Sequence, residues 1–142
     1  MQIIYDKLEK LNVIQDVPLL LIRLVLAYGF WGPGMKKYEN FSNIVGWFDS
    51  IGIPFPTVNA FLATATEIGG AILLALGLFT RVISVPLIIV ILVAIFTVHI
   101  GNGFDAGDNG YEIPLYYLLM LLSLVAFGGG KFSIDNLISS KQ

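Results

Sequence analysis

The sequence predicts an all-α, polytopic membrane protein: a four-transmembrane-helix bundle with an amphipathic interfacial helix between the first two spans. Of its 142 residues, 56% are hydrophobic and only 13% are charged, whereas a soluble domain has about 45–50% apolar and about 25% charged residues. Four apolar stretches approach the roughly 20 residues that a helix needs to cross a bilayer. They fill most of the chain, so we expect a single membrane domain over residues 1–142.

Each of the four predicted spans is almost free of charge. In chain order they cover residues 17–35, 57–79, 82–100 and 111–128. The first two each hold one charged residue, Arg23 and Glu67, and the third ends in the only histidine, His99. The fourth is short and stops at three consecutive glycines, residues 128–130, which favour helix termination.

Two further segments have the spacing of amphipathic helices. Apolar residues recur with helical periodicity between spans one and two, at Phe41, Ile44, Val45, Phe48 and Ile51. Trp47 in this segment is typical of the membrane interface. Near the N-terminus, residues 3–14 predict a short helix that lies on the inner membrane surface.

The basic residues predict which side of the membrane each connection faces. We expect no cleavable signal peptide before the first span, which is therefore retained. Four spans then place both termini and the connection between spans two and three on one side. That side carries Lys7, Lys10, Arg81, Lys131 and Lys141, and the other carries Lys36 and Lys37. The excess predicts a multi-pass protein of the cell membrane with both termini in the cytoplasm.

Composition also excludes several functions. The net charge of −2 gives no electrostatic reason to expect nucleic acid as a partner. Because the chain has no cysteine, it has no disulfide, thiol chemistry or cysteine-held cluster. One histidine and scattered carboxylates do not make a transition-metal site, so no metal is expected.

Arg23 and Glu67 are the first candidates for function, because a charge inside a span costs roughly 2.5–3.5 kcal/mol on insertion scales. Arg23 is close enough to the inner headgroups to snorkel. Glu67 lies mid-span and must be protonated, paired or open to a water-filled pocket. It shares its helix face with small residues, so we expect it to face the bundle. A hydrogen bond to a neighbouring helix would explain Glu67 without function, and an ion pair with Arg23 remains open.

A second group of candidates gathers at the outer ends of the spans. It comprises Lys36, Lys37, His99, Asn102 and Glu112. Tyr116 follows Glu112 on a polar stripe of span four that leads toward the midplane. A lone interfacial histidine is usually just solvated, but a histidine opposite a glutamate could exchange protons near neutral pH.

These residues resemble the DoxX family of small four-span membrane proteins over roughly residues 19 to 137. The resemblance depends on Arg23, on Gly34-Met35-Lys36-Lys37, on residues 65–70 (ATEIGG), on residues 76–81 (LGLFTR) and on Phe96-Thr97-Val98-His99 with Asn102-Gly103. Tyr111-Glu112-Ile113-Pro114 and residues 129–135 (GGKFSID) complete it. One departure is Pro33, where relatives often have a histidine before Gly34.

The resemblance implies a four-helix integral membrane bundle. The family name is attached to a subunit of a thiosulfate:quinone oxidoreductase, and other members are linked to oxidative-stress responses. The lack of cysteine excludes a cysteine-based thiosulfate mechanism within this chain. Whether the chain is itself catalytic or a subunit of a membrane oxidoreductase stays open, because a fold does not transfer an activity.

Two hypotheses follow. In the first, the protein is redox-associated and binds a quinone-like or other small amphipathic ligand inside the bundle. Arg23 and Glu67 would then form the inner floor, His99 and Glu112 would exchange protons at the mouth, and Lys36 or Lys37 would attract an anionic head group.

In the second hypothesis, the chain is a non-catalytic scaffold or partner subunit, and the same polar residues hold helices together. We expect lipid, a second copy of the chain or a redox partner subunit as its partners. A transporter is less favoured, because broken-helix pairs and inverted repeats are missing from the sequence.

Overall fold

The computed structural model describes residues 1–142, apart from the side chain of residue 13. The described residues form helices and no strands. In chain order, the helices are α1 (Gln2–Glu9), α2 (Asp16–Glu39), α3 (Phe41–Ser50), α4 (Pro56–Leu76), α5 (Thr80–Ala94), α6 (Glu112–Phe127) and α7 (Ile134–Ser139). A 3-10 turn over Lys10–Ile14 joins α1 to α2. A π-helical turn over Ile95–His99 and a 3-10 turn over Ile100–Asn102 extend α5, and a further 3-10 turn covers Ala106–Asp108.

Three helices are long and apolar enough to cross a membrane. They are α2, α4 and the continuous segment Thr80–Asn102, with 24, 21 and 23 residues. The predicted fourth span corresponds to the helix α6, which has 16 residues. At a rise of about 1.5 Å per residue, α6 is about 24 Å long. This length is less than the thickness of the hydrocarbon core, which is about 30 Å. The second span ends at Leu76 rather than at residue 79, because Gly77 adopts a left-handed φ of 67° that terminates α4.

The four longest helices close into a ring in which α2 packs mainly on α4 and α5 mainly on α6, with smaller α4–α5 and α2–α6 contacts. Glycines permit three of these approaches. A Cβ at Gly29 would overlap Tyr117 of α6, one at Gly34 would lie 2.9 Å from Ile68 Cγ1, and one at Gly70 would lie 2.8 Å from Leu87 Cδ1. The apolar core lies inside the ring and includes Leu26, Leu74, Leu87, Leu121 and Leu124.

Neighbouring helices of the ring run antiparallel, so the bundle has two ends. The Arg23 end holds the start of α2, the α4–α5 turn and the segment after α6. The His99 end holds the C-terminus of α2, α3, the start of α4 and the connection from α5 to α6.

The helix predicted between spans one and two is present as α3. Phe48 is buried against the bundle, whereas Trp47 is 42% exposed. The structure also contains α7, which the sequence analysis did not predict. Ser133 caps α7, since its hydroxyl accepts from the backbone N–H of Asn136 at 3.2 Å.

Candidate functional site: a cavity beside a lysine–glutamate pair

Glu67 faces the bundle interior, as the small residues around it predict, and it is only 5% exposed. Its partner is Lys37 of α2. The Lys37 ammonium donates to Oε2 of Glu67 at 3.0 Å and to Oε1 at 3.2 Å. Charge-assisted contacts of this kind are the strong class of hydrogen bond, and the pair satisfies both charges at a depth where either alone would be costly.

Local geometry explains why these two residues meet. Gly34 lies one turn before Lys37, and a Cβ there would lie 3.2 Å from both Glu67 Cβ and the Ile68 backbone nitrogen. The missing side chain therefore lets α2 and α4 approach closely at the depth of Glu67. Because helical side chains lean toward the N-terminus of their helix, Lys37 extends back along α2 into the bundle rather than outward to the head groups.

A cavity of about 760 Å³ lies beside this pair. The volume is within the range of small-molecule sites. Its walls come from α3, α4, α5 and the end of α2, and they are mostly apolar. The lining residues that matter below are Lys37, Trp47, Asn59, Thr66, Glu67, Val90, Val93, Thr97 and His99.

His99 reaches the cavity from the last residue of the π-helical turn. Such turns add one residue to a helix and are frequent at functional sites. Nδ1 of His99 lies 2.9 Å from the carbonyl oxygen of Asn109. The amide of Asn102 donates to the same carbonyl at 3.1 Å and to that of Val98 at 3.2 Å, so Asn102 ties the loop to the helix end.

Arg23 neither snorkels nor pairs with Glu67. It is fully buried, and its guanidinium donates to the carbonyl oxygen of Leu74 at 3.2 Å and to that of Phe132. Glu67 lies level with Gly34, which is 11 residues along α2 from Arg23, or about 16 Å at the helical rise. An arginine side chain is too short to cover that distance, so the ion pair between Arg23 and Glu67 that the sequence left open does not form.

Arg23 instead belongs to a polar cluster at its own end of the bundle. Asp16 accepts from the backbone N–H of Lys131 at 3.0 Å. The Asp135 carboxylate accepts from the N–H groups of Phe79 and Thr80, at 2.7 and 2.9 Å. These contacts fasten the segment after α6 onto the starts of α2 and α5. Neither Asp16 nor Asp135 was expected to have a role from the sequence, although Asp135 lies in the motif over residues 129–135.

The other candidates lie off the cavity wall. Lys36 is exposed, and Tyr116 is 46% exposed. The neighbouring Tyr117, which was not a candidate, packs inside the bundle instead of Tyr116. The centre of its ring lies 5.4 Å from that of Phe30. The backbone N–H of Glu112 donates to Phe104.

The predicted proton exchange between His99 and Glu112 stays a prediction. Among the described residues, the side chain of His99 is hydrogen-bonded to the carbonyl of Asn109 and not to Glu112. The same residues contain no cluster of three or more His, Asp or Glu side chains that could hold a metal ion.

Several relatives match most of this chain. An uncharacterized protein of Haemophilus influenzae is 37% identical over 86% of the chain and 83% of its own length. An uncharacterized membrane protein of Mycobacterium tuberculosis is 32% identical over 86% of the chain and 82% of its own length. The Bacillus subtilis protein named "Putative oxidoreductase CatD" is 30% identical over 82% of the chain and 83% of its own length.

No solved structure matches the chain significantly. The model of the DoxX family matches residues 18–100. This range covers most of α2 and all of α3, α4 and α5, and it contains Lys37, Glu67 and His99. The resemblance seen in the motifs is confirmed by this match and by the relatives. The chain belongs to the DoxX family of membrane proteins.

Proposed function

We propose that this protein binds a quinone-like, small amphipathic molecule in the cavity between α2, α3, α4 and α5, as part of a membrane redox process. The observation that carries the proposal is the placement of the Lys37–Glu67 pair and His99 on the wall of one apolar cavity of about 760 Å³. Apolar walls with few convergent polar groups are typical of ligand sites.

The polar residues have distinct roles in this proposal. The Lys37 ammonium has three N–H bonds and makes two contacts to Glu67, so a donor remains for an oxygen of the ligand. Glu67 holds the Lys37 ammonium in place through the ion pair. His99 contacts the other end of the ligand. Arg23, Lys36, Asn102, Glu112 and Tyr116 are not assigned to direct ligand contact, since none of them lines the cavity.

The redox role is supported by the name of one relative. The Bacillus subtilis protein is named as an oxidoreductase, and the resemblance to the family points to quinone chemistry. We propose that the chain acts with a redox partner subunit, because it contains no cysteine and no described cluster of metal-ligating residues.

The membrane arrangement belongs to the same proposal. We take α6 as the fourth span of a single membrane domain, with its ends drawn toward the head groups by local thinning of the bilayer. The Arg23 end would face the cytoplasm with both termini, and α3 would lie at the outer surface of the cell membrane. Most of the large apolar side chains outside the core are exposed, and self-association would cover part of that surface.

Intrinsic fluorescence gives a direct test, because the chain has only two tryptophans. Trp47 lines the cavity, whereas Trp31 lies on the outside of the bundle beside Ala27 and Ala71. The Trp31→Phe protein in detergent should show saturable quenching by duroquinone, and the Trp47→Phe protein only a shallow, linear decrease. Glu67→Gln and Lys37→Met should weaken the saturable phase several-fold.

Lys36→Met is the matched control, because Lys36 is the exposed neighbour of Lys37. It should leave the binding curve unchanged. Linear quenching of both tryptophans with no saturation would contradict ligand binding in the cavity.

The alternative function is a non-catalytic scaffold. It is favoured by one observation, namely that the Lys37–Glu67 pair joins two helices and could serve packing alone. In that case Glu67→Gln should lower thermal stability or change the oligomeric state while duroquinone binding is absent or unchanged. Because the ion pair stabilises the bundle in either case, the quenching curve of the Glu67→Gln protein is the measurement that separates the two functions.

A further inference from the structure

We infer that the cavity ligand carries an aromatic hydroxyl and donates it to Nε2 of His99. This inference rests on the proposed function and deepens it, since it names the hydrogen-bonding group that the ligand presents at the His99 end. A phenol and the reduced, hydroquinone form of a quinone share this chemistry. An oxidised quinone and an aryl ether lack the hydroxyl proton.

The first step concerns the tautomer of His99. Nδ1 lies 2.9 Å from the backbone carbonyl oxygen of Asn109, and a carbonyl oxygen only accepts hydrogen bonds. Nδ1 therefore carries the proton and donates it. A neutral imidazole has a single N–H, so Nε2 has a free lone pair and is an acceptor.

The second step concerns what holds the Asn109 carbonyl in place. Asn109 has a left-handed φ of 58°, and its carbonyl oxygen accepts from both His99 and Asn102. Asn102 also donates to Val98 in the turn that precedes it. Asn102 is thus a positioning residue, which acts on the ligand only by fixing the ring of His99.

The third step concerns the hydrogen bonds already made around the cavity. His99 lines the cavity, and the described residues offer no partner for Nε2. The hydroxyl of Thr97 donates to the carbonyl of Val93 at 2.6 Å, and the Asn59 amide donates to that of Pro54. Nε2 of His99 is therefore free to accept, and Val90 and Val93 on the wall of the same cavity offer an apolar surface for a ring.

Two pairs of probes test the inference. The first pair consists of 4-heptylphenol and its methyl ether, which are not interconverted by oxidation or reduction. The second pair consists of duroquinol and duroquinone, and it tests whether the ligand is a hydroquinone. Binding is followed by Trp47 fluorescence in the Trp31→Phe protein. The phenol should bind about fivefold to tenfold tighter than its ether, as expected for one hydrogen bond, and duroquinol should bind tighter than duroquinone. If only the phenol pair shows the preference, the ligand is a phenol rather than a hydroquinone.

Variants locate the acceptor. His99→Phe should bring the phenol-to-ether ratio close to one, and Asn102→Leu should reduce it in part. Tyr116→Phe is the control and should keep the full ratio, because Tyr116 does not line the cavity. Equal binding of phenol and ether by the Trp31→Phe protein, or a preference that survives His99→Phe, would overturn the inference.

A second measurement needs no variant, because His99 is the only histidine. In ¹⁵N-histidine-labelled protein, the nitrogen spectrum of the neutral ring should show a protonated Nδ1 and an unprotonated Nε2. The phenol should shift the Nε2 signal and the ether should not. A protonated Nε2 in the neutral ring would refute the assignment even while duroquinone quenching stays saturable. Without saturable quenching, the proposed function and this inference both fail.

Discussion

The two charged residues of the predicted spans have opposite surroundings in the folded protein. Arg23 lies in a closed cluster where its bonds go to backbone carbonyls at Leu74 and Phe132. Glu67 lies on the wall of a cavity, in a side-chain ion pair with Lys37. A charge within a membrane helix can therefore serve either assembly or ligand binding. A cavity beside the charged side chain distinguishes the second role from the first.

The largest effect on stability should come from removing the guanidinium of Arg23. Arg23→Leu removes the guanidinium donor from the carbonyl of Phe132 and one of the two donors from that of Leu74, which keeps the backbone N–H of Gly77. In an apolar setting we expect a loss of about 3 kcal/mol in stability. Thermal unfolding in detergent measures it. Arg81→Met, an exposed arginine at the same end, is the control and should change little. A small effect of Arg23→Leu would mean that this end is not held by Arg23.

A double-mutant cycle on the cavity pair should give the next largest effect. Lys37→Met and Glu67→Gln should each cost about 2 kcal/mol, because each leaves a lone charge or an unmatched donor in the membrane. The double variant should cost less than the sum of the two. Unfolding midpoints of the four proteins give the coupling, and strict additivity would contradict the ion pair.

Close packing at the cavity end is tested by one glycine. Gly34→Ala places a methyl group against Ile68 and the Glu67 side chain, and overpacking of this kind costs about 1–2 kcal/mol. Gly32→Ala on the same helix meets nothing within 4 Å and should be neutral or slightly stabilising. Equal midpoints for the two variants would show that the helices are not in close contact at this depth.

The smallest effect concerns the cap of α5. Asp135→Ala leaves the N–H groups of Phe79 and Thr80 without their acceptor, and loss of a helix cap costs about 1 kcal/mol. Hydrogen exchange at these two amides should accelerate while duroquinone binding stays the same. Asp6→Ala, in the exposed helix α1, should leave both unchanged. A loss of binding in the Asp135 variant would mean that the two ends of the bundle are coupled.

Helix periodicity and span length suffice to predict most of the fold. The helices α2, α3, α4 and α5 lie close to their predicted positions, because apolar runs and the turn residues between them are local signals. The end of α4 was predicted three residues too late, since the left-handed conformation of Gly77 is not distinguishable in sequence from a glycine inside a helix. The helix α7 follows from a serine cap after a glycine-rich stretch, and that stretch was interpreted only as a stop.

The candidate site was predictable residue by residue but not as a set of contacts. Glu67 was selected because a charge in an apolar segment is costly, and His99 and Lys37 because they lie at the outer ends of spans. Their grouping depends on the depth at which α2 faces α4, which Gly34 sets through a tertiary contact. Sequence spacing carries no information on that register, so Arg23 was paired with Glu67 in the alternative that proved wrong.

Arg23 donates a hydrogen bond to a residue far away in the sequence, and this has a consequence for biosynthesis. Its second acceptor, Phe132, is made 109 residues later, so the nascent chain carries a guanidinium with an incomplete set of partners until the segment after α6 has been made. Shortened products that stop before this segment would expose that defect to the quality-control proteases of the membrane. The segment after α6 thus decides whether the earlier helices are retained.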